Sequence, residues 1–403
     1  MAEEFKRAGL RLNLFQNEEF DFQVVRSLGA SCRGGATLGE CLATAGRIED
    51  GDVRGWAREW AATAGMVEER AEEFAAAGAR SAARDAYLRA SMYWRAAEYY
   101  GFFSEPERRA HWENSVRCFR AAAGLSGYSW EVLEIPFGDL SLPGYFFSPG
   151  GGGGRLPTLM VLSGFDGTME ESYFGVAAYA LEDGYNVMMF EGPGQAAMCH
   201  LHPDRPFMPD FEKPVGAAVD LALSRPDVDP DRLALMGISL GGYFAARAAV
   251  HDRRITACIL NSPIIDMHAY FAGSALKNLV ELPEEDYEAA MQAVPVIRWV
   301  IETFGRRFGA RTVPAMLERM KEFNILGREG EIACATLSLV GEGEGEEARR
   351  QAELFHARVS GPKAMHVFKA AEGADAHCQV GNLPLAAGVI LAWLKKVDWG
   401  SRA

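Results

Sequence analysis

The chain has 403 residues, 49% of them hydrophobic, enough to bury a sizeable core in two domains or in one large domain with additions. Its formal charge of -14, with no basic run, speaks against a nucleic-acid backbone or an anionic membrane surface as partner. Seven scattered cysteines form no C-x-x-C pair and no metal-ligand spacing, which fits free thiols in a reducing cytoplasm and a protein that uses no metal or organic cofactor.

The opening M-A-E-E-F-K-R lacks the apolar core of a signal peptide, and no stretch of about 18 apolar residues follows that would span a membrane. A cytoplasmic location is therefore expected. Residues 1–126 read as a helical N-terminal domain. One run covers Val53 to about Ala75. A second covers Ala82–Tyr100, with Ser81 as its expected cap. A third opens at Pro106 and continues through Arg120. Aromatic residues recur along these helices, among them Trp56, Trp60, Tyr93, Tyr100 and Trp112. Helix packing accounts for most of them, and some are candidates to line a pocket for an aromatic ligand.

The pattern changes near Gly127, and residues 127–403 are expected to form a second, larger domain. Trp130–Pro136 and Leu142–Phe147 alternate as a hairpin. A glycine-rich surface loop, Pro149–Gly154, follows. Apolar strands then alternate with helices: Thr158–Ser163, Asn186–Phe190, Leu233–Met236, Thr256–Leu260, Ala335–Val340 and Ala364–Phe368. This series predicts an α/β fold with a mostly parallel eight-stranded sheet, covered on both faces, the hairpin lying at an antiparallel edge. Residues 266–330 interrupt it. They are charged and helical, too long for a simple crossover, and read as a lid over the C-terminal ends of the strands.

Chemistry concentrates at Gly237-Ile238-Ser239-Leu240-Gly241. A G-x-S-x-G turn between an apolar strand and a helix is a nucleophile elbow: small residues flank a strained serine whose hydroxyl stands above the sheet edge. A serine hydroxyl needs a base and an oriented acid, in the order serine, acid, histidine. His377 alone among the eight histidines follows the last strand in a loop before the closing helix, so it is the expected base. The acid is expected after Val340, in Gly341-Glu342-Gly343-Glu344-Gly345. Glu344 has the best offset, with Glu342 and Asp266 as rivals. Two backbone N–H groups should face the developing oxyanion, those of Leu240 and Phe165. Gly164, Asp166 and Asp266 are expected to face substrate, Asp166 as a loop brace or a positioning group.

Four segments carry a family resemblance: Ser163-Gly164-Phe165-Asp166-Gly167-Thr168-Met169-Glu170-Glu171, Phe190-Glu191-Gly192-Pro193-Gly194-Gln195, the elbow, and Gly373–His377. Together with the N-terminal helices they resemble a subgroup of α/β-hydrolases with a helical cap, the group of 2,6-dihydroxypseudooxynicotine hydrolase and the fungal yellowish-green type hydrolases that shorten polyketides. The chain departs from that pattern at Glu191, where aspartate is usual, and in its G-E-G-E-G run. The resemblance implies cleavage of a carbon–carbon bond next to a ketone, an aromatic or polyketide-like small-molecule substrate, and a homodimer. Ester or lactone hydrolysis, or interception of the acyl enzyme in a cyclase or acyltransferase, uses the same residues. A non-catalytic binder on a hydrolase fold is a reading of another class, and it sits poorly with a retained serine and histidine.

Overall fold

The computed structural model describes residues 7–150, 154–272, 276, 279–280 and 282–399. The middle of the glycine-rich loop, 151–153, lies outside them. Helices precede the sheet: α1 Glu18–Gly29, α2 Leu38–Ala45, α3 Val53–Ala76, α4 Arg80–Tyr99 and α5 Pro106–Leu125. Asn17 and Thr37 accept from the first-turn N–H groups of α1 and α2, and Pro106 opens α5 where its missing N–H costs nothing. Ser81 does not cap α4. Gly78, at φ +76°, turns the chain so sharply that α4 begins at Arg80, with Ala79 at the cap and no side-chain bond. Trp56 and Trp60 are fully buried against Phe20, Tyr93 and Tyr100, so they build the interior of the helical layer.

Among the described residues eight strands form one sheet. They are β1 Ser129–Phe137, β2 Leu140–Ser148, β3 Leu156–Leu162, β4 Asn186–Phe190, β5 Val228–Ile238, β6 Ala257–Asn261, β7 Ala335–Gly341 and β8 Lys363–Phe368, in the order β1-β2-β4-β3-β5-β6-β7-β8. The β1–β2 and β2–β4 pairs are antiparallel and the rest parallel. Every residue of β4 and β6 is buried, as an apolar strand covered on both faces requires.

The covering and connecting helices are α6 Met169–Ser172 and α7 Ala178–Glu182, joined by a π-helical turn, then α8 Ala196–Leu201, α9 Glu212–Leu223 and α10 Gly241–His251. Helices α11 Met267–Phe271, α12 Tyr287–Ala293, α13 Pro295–Phe308 and α14 Val313–Met320 occupy the insertion between β6 and β7. Helices α15 Glu346–Arg358 and α16 Leu383–Leu394 follow β7 and β8. No single described helix is long and apolar enough to cross a membrane.

The strand order places the site. From β3 the chain steps to β4 on one side and later returns to β5 on the other, so β3 and β5 are neighbours, with Leu162 opposite Gly237. The loops leaving their C-terminal ends diverge there and open a crevice. One carries Gly164–Thr168 and the other Ser239.

Candidate active site

Ser239 sits between β5 and α10 with φ +58°, a left-handed conformation that a serine adopts only when its surroundings enforce it. Its N–H donates to the Asn261 carbonyl at the end of β6. The neighbouring loop comes very close. A Cβ on Gly164 would stand 2.6 Å from the Leu240 nitrogen and 2.9 Å from the Ser239 Cβ, so only glycine fits. The N–H groups of Phe165 and Leu240 carry no backbone hydrogen bond among the described residues. Leu240 stands at the N-terminus of α10, where the helix dipole favours negative charge.

The His377 Nε2 lies 2.8 Å from the Ser239 Oγ, and its Nδ1 lies 2.5 Å from Glu344 Oε2. Glu344 is buried, and its carboxylate also accepts from the Gly341 N–H at 2.8 Å and from the Ser262 hydroxyl at 3.0 Å. Sequence reasoning passed over Ser262. The signal was there, a hydroxyl directly after the buried strand β6 and so on the same sheet edge as the elbow. Burial alone disfavours charge on His377, but the Cys378 sulfur and the Glu344 carboxylate outweigh it and raise the imidazole from 6.5 to about 10. The three groups can therefore pass a proton from hydroxyl to imidazole while the carboxylate holds the ring's tautomer and balances its charge.

The other acids lie elsewhere. Glu342 points outward, accepts from the Ala370 N–H at 3.0 Å and faces Lys369. Asp266 caps α11 by accepting from Ala269 at 3.0 Å, and it is not among the residues lining the cavity at Ser239. Asp166 does line that cavity, bound to Arg26 at 3.0 Å and near Arg7 at 3.6 Å. Burial pushes its carboxyl up, and Arg26, Arg7 and Arg95 more than reverse that and hold it well below the ordinary range. Both Asp166 and Gly164 thus sit at the cavity, with Asp166 tied to the N-terminal helices.

The cavity has about 80 Å³ of room. Ser239, His377, Cys378 and Asn261 stand at its head. Phe22, Met92, Phe174, Met236, Leu383 and Ile390 give it apolar walls. The tryptophans of α3 take no part. Phe304 from α13 packs against Phe165 in a tilted arrangement, their ring centres 4.5 Å apart. No cluster of three His, Cys, Asp or Glu side chains suited to a metal occurs among the described residues.

Fold and site together define an α/β-hydrolase of the serine-hydrolase type. Residues 212–300, which include the elbow, match the prolyl oligopeptidase family. The chain is 34% identical over 406 residues to hydrolase ORFZ of Pyricularia oryzae, across 93% of this chain and 95% of that protein. It is 33% identical over 410 residues to the 20-hydroxy-prefusarin hydrolase of Gibberella moniliformis, across 94% of this chain and 97% of that one. The chain belongs to the family of α/β-hydrolases that includes these fungal proteins. The crystal structure of 2,6-dihydroxy-pseudo-oxynicotine hydrolase matches with a TM-score of 0.70 and 22% identity, over 92% of this chain and 95% of that one, a likeness of fold.

Proposed function

We propose that this protein is a serine hydrolase that cleaves a carbon–carbon bond next to a ketone, in a β-diketone or polyketide-type substrate with an aromatic part. The observation that carries the reading is the hydrogen-bonded line from Ser239 through His377 to Glu344 at the head of a largely apolar cavity. Ser239 Oγ gives its proton to His377 Nε2 and bonds to the carbonyl carbon. The oxyanion faces the N–H groups of Phe165 and Leu240. When the adduct collapses, the carbon–carbon bond breaks and the electron pair leaves as an enolate. His377 returns its proton to that carbon, and water then hydrolyses the acyl ester. These proton transfers close without a cofactor.

The similarity to the 20-hydroxy-prefusarin hydrolase supports a polyketide-type substrate, and the aromatic and apolar wall of Phe22, Met92 and Phe174 supports a flat, apolar portion in it. The family resemblance supports a homodimer, which light scattering tests. For the reaction itself, purified protein is incubated with aryl β-diketones in heavy-oxygen water. Label in the product carboxylate, and loss of turnover by about 10⁴-fold or more in S239A with the fold retained, is the expected result. Full activity of S239A removes the covalent mechanism. A cyclised, unlabelled product removes hydrolysis.

A further inference from the structure

The segment ahead of α1 is built into the site. The Arg7 carbonyl accepts from the His377 backbone N–H at 2.6 Å. The N–H groups of Gly9 and Leu10 donate to Asp375 Oδ2 at 2.8 and 3.2 Å. A Cβ on Gly9 would lie 3.8 Å from the Gly343 Cα, so this strap touches both the loop that carries Glu344 and the loop that carries His377. Its position delivers one cationic side chain, that of Arg7, into the cavity wall beside the histidine.

The two arginines of that wall differ. Arg26 is fully engaged: its Nη1 binds Asp166 at 3.0 Å, and its Nε and Nη2 bind Glu171 at 2.5 and 2.6 Å. Arg7 is held by Nη1 alone, 2.9 Å from Glu19 and 3.6 Å from Asp166, with its guanidinium carbon 4.3 Å from the centre of the Phe22 ring. Its Nε and Nη2 donors carry no hydrogen bond among the described residues. A guanidinium held on one side by Glu19 and Asp166, in the wall of a cavity shared with Ser239, is prepared for an oxygen of the substrate.

We propose that Arg7 binds the second ketone oxygen of the substrate and stabilises the leaving enolate. The inference rests on the carbon–carbon cleavage reading above. When the adduct on Ser239 collapses, the acyl–Oγ ester keeps its carbonyl and the carbon–carbon bond breaks. The electron pair passes to the α-carbon and onto the second ketone oxygen, which becomes the enolate oxygen. His377 then transfers its Nε2 proton to the α-carbon, and the neutral ketone leaves. Charge reaches that oxygen only as the bond breaks, so a cation placed there favours the transition state over bound substrate. A simple ester has no second ketone. Its charge departs on an oxygen that His377 protonates directly. Arg7 thereby selects carbon–carbon over ester cleavage.

The test compares wild type, R7Q and R7K on two series, ring-substituted benzoylacetones and matched phenyl esters, each with the rate of fluorophosphonate labelling at Ser239. R7Q is expected to lose ~100-fold in kcat/KM on the diketones and several-fold at most on the esters. R7K recovers part of the loss. Within the diketones, the loss shrinks as ring substituents make the leaving enolate more stable by itself. Parallel losses on both series, together with slower labelling, mean that Arg7 only holds the strap, and the proposal is overturned. So is it by an unchanged diketone-to-ester ratio. A wild-type protein that turns over the esters and no diketone refutes the cleavage reading, and the role of Arg7 falls with it.

Discussion

His377 answers two opposed demands. As a base toward Ser239 it must be neutral, yet the Cys378 sulfur beside it and the Glu344 carboxylate at 2.5 Å favour the imidazolium. Burial opposes that charge and loses, so the ring is raised from 6.5 to about 10. The sign follows. Activity needs the deprotonated ring, so the acidic limb of kcat/KM lies above the ordinary 6.5 and rises toward the alkaline side. Replacing Glu344 by Gln removes the charge while keeping the size. The limb should then move down toward 6.5, and kcat should fall by about 10⁴-fold as the ring loses its orienting acceptor. A pH–rate profile of both proteins decides this, and a limb that stays in place in E344Q removes Glu344 from the relay. The same shift has a stability consequence. Its contribution to the fold is complete below 6.5 and is lost as pH rises through about 10.

The elements around the oxyanion loop are pinned by a second buried acid. Glu191, just after β4, accepts from the Met169 N–H at 2.8 Å and the Ala197 N–H at 2.5 Å, in the first turns of α6 and α8. It thus ties two helix N-termini to the end of a strand. Burial, and then the nearby Glu170 carboxylate, raise it from 4.5 to about 8. An acid raised in the fold stabilises fully below its unfolded value, and that contribution is lost as pH rises through the folded one. The Tm of the wild-type protein should therefore decline between pH 4.5 and about 8, and E191Q should be less stable at low pH and show a flatter decline. Calorimetry across that range checks it. An unchanged slope in E191Q assigns the decline to other groups.

Reading elements from sequence worked where a local pattern fixes them. The elbow, the strand before it and the acid loop each announce themselves within ten residues, because a buried parallel strand must be apolar and a strained turn must be small. Glu344 and His377 are the residues that the places after β7 and β8 point to, and the structure sets them 2.5 Å apart. Arg7 is not so marked, since nothing local distinguishes a strap from a tail: the strap's partners, His377 for Arg7 and Asp375 for Gly9, are brought to it only by the folded sheet. Asp266 looked plausible for the opposite reason. It follows β6, as a site residue would, but its carboxylate is consumed in capping α11.

At the scale of the whole molecule one buried knot joins the leading helices to the inserted ones. Glu98 of α4 meets Arg108 of α5 at 2.6 Å and His200 of α8 at 3.2 Å. Arg108 also donates to the Gly101 carbonyl at 2.9 Å and to Thr303 of α13 at 3.2 Å. Trp112 stacks on the His200 ring at 4.9 Å. Burial alone would push the Glu98 carboxyl up, but Arg108 and His200 prevail and hold it below the usual range. Removing one partner leaves a charge stranded in the interior, whereas removing both charges does not. R108M should therefore cost about 3–5 kcal/mol in urea unfolding, and R108M combined with E98Q should recover part of that loss. Helix α13 also carries Phe304 onto Phe165, so loosening its anchor should disturb the oxyanion loop from a distance. The expected signature is a lower kcat in R108M well below its unfolding midpoint, with the acidic limb of the pH profile where it was, because His377 and Glu344 are untouched. A double variant no more stable than R108M would show that the knot holds by packing alone, and an unchanged kcat would separate α13 from the chemistry.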